Sequence, residues 1–351
     1  MIDIIIPAYN VDEAILTRCL SSIVTQTILN QLKVTIVDDG SDEGYNQIYH
    51  KVSDKFKELG LDIVVLWYPD NRGPGQARQY GIDNTNNEYL VFIDADDVFA
   101  NALSLQALSE IANNTKSILI STAFNEVVNN NGINLIPHEN DLTWMFGKLY
   151  SREFITKYNI RFHPTSRANE DNGFNTLIRL ISSNKYNISF NPLVTYYWME
   201  NKNSITRRND NSYSYGDGVR NSFHGYIENM LYALSTSRLI PEVDLDNINK
   251  FVVSVMVFLY KYYSENLARS PKTAHNNFLE CKKFYNDEFI NLKMDNLNTI
   301  IVDEYNKVMS NLYKNTKLEF IPSKSINQFL SELDNYELTE EDKIYYESVG
   351  Y

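Results

Sequence analysis

Along the first hundred residues, apolar positions alternate between short β-branched runs and segments of helical period. Asp3 to Pro7 is a β-branched run stopped by proline, which predicts a strand. Glu13 to Val24 then sets Ile15, Leu16, Cys19, Leu20, Ile23 and Val24 at helical spacing. The same alternation gives a strand over Val34–Val37, a helix around Asn46–Leu59, and a strand over Asp62–Trp67. A helix over Gly75–Asn84 and a strand from Tyr89 to Ile93 follow. Such a β-α series predicts an α/β fold, a largely parallel sheet with right-handed crossovers and helices on both faces.

Further on, Leu103–Ala112 reads as helix and Ile118–Ser121 as strand. Asn125 to Asp141 is polar and asparagine-rich, an irregular excursion or a hairpin turning at Asn131-Gly132. Glu170–Ser182 has helical period through Phe174, Leu177, Ile178 and Ile181, and Ile188–Trp198 reads as a strand broken at Pro192. After about residue 210 the strand signal stops. Amphipathic segments at Tyr226–Leu234, Asn249–Asn266, Phe278–Phe289 and Thr299–Leu312 predict a separate helical region. The expected division is 1–210, with halves 1–100 and 101–210, followed by 211–351.

The longest apolar patch, Phe251 to Tyr260, is too short to span a bilayer and reads as a buried helix. The N-terminus carries no basic region, apolar stretch and cleavage site. Cys19 and Cys281 form no C-x-x-C pair, and Cys19 falls on the apolar face of its helix. A reducing cytoplasmic setting is expected, with the inner face of the membrane as an option. With a net charge of −13, no broad basic footprint for nucleic acid is visible overall. One local exception is Lys148, Arg152, Lys157, Arg161 and Arg167 against Glu153 alone, either a solvated helix face or a surface for an anionic ligand.

Candidate chemistry gathers at the strand ends. The fourth strand delivers Asp94, Asp96 and Asp97 in four positions. Crowded carboxylates need compensation, for which a hard divalent ion shared with a substrate phosphate is suited. Alternatively, Asp96 or Asp97 caps a helix starting near Ala100. The first strand ends Pro7-Ala8-Tyr9-Asn10, and the second Asp38-Asp39-Gly40-Ser41-Asp42. The third leads into Asn71-Arg72-Gly73-Pro74-Gly75-Gln76-Ala77-Arg78. In a parallel sheet these endings share one edge and can converge on one ligand. Tyr9 offers a flat face for a base, Asp39 an acceptor for an imide N–H, and Arg72 and Arg78 fixed positive charge. The Asn71–Gly75 turn can also present a helix N-terminus to an anion. Taken singly, each piece also reads as an ordinary turn or strand exit.

Four such motifs in this order resemble family 2 of the inverting glycosyltransferases, over roughly residues 2–206. The resemblance implies a GT-A fold, a nucleoside-diphosphate sugar donor, usually a UDP-sugar, and Mn²⁺ or Mg²⁺. It implies nucleoside recognition by Pro7, Tyr9, Asp39, Asn71, Gly73 and Arg78. It also assigns Asp94 to the ribose and metal region and implies that Asp96 is the principal metal ligand. Gly147 to Phe154, Asn159 to Phe162 and Asn169-Glu170-Asp171 are similar to the acceptor half, where Asp171 is the implied general base and Glu170 its neighbour. Glu170 and Asp171 also suit a helix N-terminus on charge alone. Asn203 to Arg208 resembles the segment that closes over the diphosphate, making Ser204, Arg207 and Arg208 candidates; a solvated basic turn is the other reading. The chain departs from several relatives in having no histidine between His163 and His224 to serve as a further metal ligand; either that ligand is absent or His224 folds back.

The expected activity is metal-dependent transfer of a sugar from a UDP-sugar to a hydroxyl on a cell-surface polymer, such as teichoic acid or a polysaccharide. The alternatives are modification of hydroxymethylated DNA bases, and a sugar-nucleotide-binding module without catalysis. The basic run makes a polyanionic acceptor plausible. The C-terminal helices are expected to form an acceptor or homo-oligomerisation module. No motif encodes which sugar is moved.

Overall fold

The structure is a computed structural model that describes residues 1–129, 132–182, 185–201, 217–269, 271–315 and 322–351. The chain divides into two compact units, Met1–Asn203 and Ser204–Tyr351.

In the first unit, β1 (Ile2–Ala8), β2 (Leu32–Asp39), β3 (Ile63–Tyr68) and β4 (Tyr89–Phe92) pair in parallel in the order β3-β2-β1-β4. They are linked by α1 (Glu13–Val24), α2 (Tyr45–Glu58) and α3 (Pro74–Asp83). Strand β1 is apolar apart from Asp3 because both of its faces are covered, and the buried Asp3 carboxylate is paired with Arg152. Ile4 and Ile6 join Leu16, Cys19 and Leu20 of α1 and Tyr49 and Val52 of α2 in one core. Ile5 points the other way, toward α3, where a Cβ on Gly81 would lie 2.5 Å from its Cγ2.

The sheet continues through β5 (Val98–Phe99), β6 (Leu119–Asn129), β7 (Ile133–His138), β8 (Lys148–Ser151) and β9 (Ile188–Trp198), with α4 (Ser104–Thr115), α5 (Arg152–Lys157) and α6 (Glu170–Ser182). Here the pairing is mixed: β8 runs antiparallel to β4 and β6, β6 is parallel to β9, and β5 is antiparallel to β9. The asparagine-rich stretch is resolved in favour of a hairpin, with β7 antiparallel to β6 from Phe124↔His138 to Asn129↔Ile133. Pro192 does not break β9. The register against β6 jumps from Thr122↔Asn191 to Ala123↔Val194, so Pro192 and Leu193 are taken up in a bulge, where a missing N–H is tolerated.

The second unit is helical over its described residues: α7 (Asp217–Arg238), α8 (Leu245–Arg269), α9 (Pro271–Phe284), α10 (Leu297–Asn315), α11 (Ile326–Asn335) and α12 (Glu340–Val349). The expected helix to Phe289 changes character at Phe284, where Tyr285–Phe289 continues as a π-turn. Val252, Val253, Met256, Leu259 and Tyr260 of α8 are buried, as the apolar patch predicts. Among the described residues, no helix is long and apolar enough to cross a membrane. Both cysteines are free and buried.

Candidate active site

The ends of β1 to β4 meet on one edge of the sheet, and short polar side chains tie their loops together. Asn10, at φ +52, donates through Nδ2 to Asp42 (2.8 Å) and accepts from the Asp42 N–H (2.8 Å). Its own N–H donates to Ser41 Oγ at 3.0 Å. Asp38 is occupied beneath, accepting from Ser41 N at 2.9 Å and Asn46 Nδ2 at 2.8 Å. Pro7 pairs with Val37 in the sheet, and Tyr9 emerges 47% exposed.

Buried Asp39 organises the loop after β3. It accepts from Tyr68 Oη at 2.7 Å and from the backbone N–H groups of Arg72 (2.8 Å) and Gly73 (2.9 Å). The loop lies so close that a Cβ on Gly40, itself at φ +66, would sit 2.5 Å from Asn71 N. Arg72 stacks over the Tyr68 ring at 4.6 Å, and Arg167 donates to Asn71 O (2.5 Å) and Oδ1 (3.1 Å).

Arg78, on the second turn of α3, is only 4% exposed and forks between two carboxylates. One amino group reaches Asp94 Oδ1 at 2.6 Å, the other Glu170 Oε1 at 2.8 Å. Burial works against its charge, but Asp94, Glu170 and Asp171 more than offset that and hold it firmly protonated. Glu170 can come this close because Gly75 leaves space: a Cβ there would lie 2.9 Å from Glu170 Cγ. The adjacent Asp171, on the first turn of α6, accepts from its neighbour Asn172 N at 2.7 Å. Burial, with the Glu170 charge beside it, pushes Asp171 up to about 8 although Arg78 pulls the other way.

The Asp94–Asp97 carboxylates separate by role. Asp94 and Asp96 are partly exposed. Asp96 accepts from Asn201 Nδ2 at 2.8 Å, its carbonyl accepts from Arg18 at 2.5 Å, and burial plus the Asp94 charge raises its proton affinity. Asp97 is wholly buried and caps no helix, since α4 starts only at Ser104. It accepts from Tyr196 Oη at 2.5 Å and Met199 N at 2.7 Å, anchoring the end of β9. Among the described residues no three His, Cys, Asp or Glu side chains form a metal cluster. His224 lies on α7 with both ring nitrogens facing carboxylates, Glu280 at 3.0 Å and Glu228 at 3.5 Å, so it offers no free nitrogen to a metal. Ser204, Arg207 and Arg208 lie outside the described residues.

The basic run forms neither a solvated helix face nor one cationic surface. Lys148 is wholly buried, and Arg152 donates to Asp3, Thr85 and two carbonyls, those of Ile82 and Asn87. Arg161 pairs with Asp83, and Lys157 lies over the Tyr158 ring. Sequence reasoning passed over Glu170 as an arginine partner and Asp97 as an anchor. Only the tertiary arrangement supplies the Tyr196 and Arg78 contacts that define them.

With this geometry in hand, comparisons with known proteins converge. The profile described as "Glycosyl transferase family 2" matches residues 3–168. A poly(ribitol-phosphate) beta-glucosyltransferase of Bacillus spizizenii is 24% identical over 275 residues, covering 75% of this chain. An uncharacterized glycosyltransferase of Haemophilus influenzae is 34% identical over 101 residues, 29% of this chain. The chain spans only 40% and 38% of the lengths of these two relatives. Crystal structures of S. aureus TarS 1–349, alone and with UDP or UDP-GlcNAc, share the fold at a TM-score of 0.57 and 18% identity, covering 91% of this chain and 93% of theirs. A mannosyltransferase from Pyrobaculum calidifontis, in complex with GDP-Man and Mn²⁺, aligns at 0.50 and 13% identity, over 95% of this chain and 85% of its own. The chain therefore carries a glycosyl transferase family 2 domain, spanning residues 3–168.

Proposed function

We propose that the protein transfers a sugar from a UDP-sugar to a hydroxyl of a cell-surface polymer of the teichoic-acid or polysaccharide type, with inversion at the anomeric carbon. The reading rests on the Arg78 fork. One buried guanidinium ties Asp94, at the strand ends, to Glu170, whose neighbour Asp171 has a raised proton affinity. The relative named for poly(ribitol-phosphate) and the TarS complexes with UDP and UDP-GlcNAc support the choice of acceptor and donor.

In this scheme Pro7, Tyr9, Asn71 and Gly73 receive the nucleoside, and Asp39 accepts its imide N–H. Three donors, Tyr68 and the loop N–H groups of Arg72 and Gly73, leave the Asp39 carboxylate room for one more. Arg78 orients Asp94 toward the ribose. Asp94 and Asp96 suit Mn²⁺ or Mg²⁺: both are oxygen donors with lone pairs beyond their present hydrogen bonds, and their mutual repulsion favours a cation. Such an ion would neutralise charge on the departing diphosphate. Asp171 takes the proton from the acceptor hydroxyl as its oxygen bonds to the anomeric carbon. The bond from that carbon to the diphosphate breaks, and the electron pair leaves with the nucleotide. A carboxyl with affinity near neutral is matched to this task.

The test is a panel of nucleotide-sugars assayed for diphosphate release with and without Mn²⁺, against poly(ribitol phosphate), a neutral polysaccharide and hydroxymethylated DNA. UDP release that requires a surface polymer and disappears in Asp96→Ala and Asp171→Asn is the expected outcome. Turnover on DNA alone, or Asp171→Asn with near-normal turnover, would overturn the acceptor or the base assignment respectively.

A further inference from the structure

Among the described residues, Lys148 is one buried titratable group that the scheme above leaves unused. It is wholly buried in β8, and its ammonium finds Phe146 O at 3.3 Å as its hydrogen bond. Enclosing an ammonium with so little compensation is costly, and a chain needing only to fill the space would do better with methionine or leucine.

Strand geometry says where it looks. Side chains two apart on a strand share a face, so Lys148 and Tyr150 point the same way. Tyr150 donates to Asn175 Oδ1 at 2.9 Å, which fixes that face against α6. On α6, Asp171, Asn175 and Arg179 follow at intervals of four and form one stripe. Burial works against the Lys148 charge, Asp141 and then Asp171 favour it, and Arg179 opposes it.

Asp171 needs such a partner. It is faced by Glu170 on its own helix, Arg78 from α3 and Asp94 beyond β4. Arg78 is already divided between Asp94 and Glu170. We propose, building on the assignment of Asp171 as base, that Lys148 is a positioning residue whose ammonium holds that carboxyl in its ionised form as the acceptor hydroxyl arrives. Burial pushes the amine down to about 8, so near neutral pH it keeps most of its charge without forming a permanent ion pair.

The test compares pH profiles of kcat for the wild type, Lys148→Met and Lys148→Arg. Lys148→Met should move the acid limb up by about one pH unit, lowering turnover about tenfold on that limb. Donor KM should stay within twofold, and Lys148→Arg should restore the limb. In an Asp171→Asn background, Lys148→Met should produce no further loss. An unmoved acid limb in Lys148→Met would overturn the proposal. So would an equal loss in both backgrounds, or a Lys148→Met chain that fails to fold, because the ammonium would then serve the fold. Normal turnover by Asp171→Asn alone would instead refute the base assignment, so the two failures are distinguishable.

Discussion

Asp171 concentrates the electrostatic argument at the scale of one residue. Its carboxyl is pushed up to about 8 by burial and by Glu170, so turnover is expected to rise with pH along an acid limb near that value. The sign for stability is opposite. The folded state holds the proton more tightly than the unfolded chain does, so stability falls as pH rises from about 4 to about 8. Asp171→Asn should therefore cost at least about a hundredfold in kcat. It should also stabilise the protein at pH 8 by on the order of 1–3 kcal/mol, measured by denaturant titration. A variant that lost activity and stability together would show that the carboxylate supports the fold. Asp171 was named from sequence only through the family resemblance, and what the periodicity supplied was the helix that opens at Glu170. Lys148 was not legible, because a lysine in a basic run reads as solvated until the strand that buries it is known.

Among elements, the four parallel strands β1 to β4 were legible because each is a short apolar run closed by a polar cluster, and both faces of β1 are buried. Glu13–Val24 and Glu170–Ser182 were read to the residue because their apolar positions hold helical period from end to end. The second half was harder. Strand β6 extends to Asn129 through polar Asn125 and Glu126, since its hairpin partner rather than a buried face sustains it. Helices α11 and α12 escaped notice, although Ser325 and Thr339 each form a capping box, because their apolar faces are short. The seating of the β3–α3 loop on Gly40 gives a prediction for this scale. Gly40→Ala forces a side chain into a left-handed position against backbone, so it should cost roughly 1–3 kcal/mol of stability. Donor KM should rise with little change in kcat, as steady-state assays with saturating acceptor would reveal. An unchanged KM would mean that the loop's position is irrelevant to the donor.

For the whole molecule, two compact units predict two unfolding transitions in calorimetry. The helical unit should respond to pH through His224. Burial disfavours its charge, but Glu228 and Glu280 outweigh that and raise it to about 9. Glu280 itself is buried, accepting from Tyr345 at 2.8 Å and also from Tyr351. A histidine with a raised folded value contributes fully below its unfolded value near 6.5 and loses that contribution as pH climbs through 9. One transition should thus weaken by about 2–3 kcal/mol between pH 6.5 and 9. The dependence should vanish in His224→Gln. A transition equally pH-dependent in that variant would assign the effect elsewhere.

Asp39 accepts hydrogen bonds from Tyr68 at the end of β3 and from the Arg72 and Gly73 N–H groups of the β3–α3 loop, so the loop is set before any donor arrives. Under the proposed activity, this ready-made seat recognises the nucleoside, which is the part shared by the donor and the spent nucleotide. Spent nucleotide should therefore leave reluctantly, making the enzyme prone to product inhibition and its turnover at saturation a matter of release.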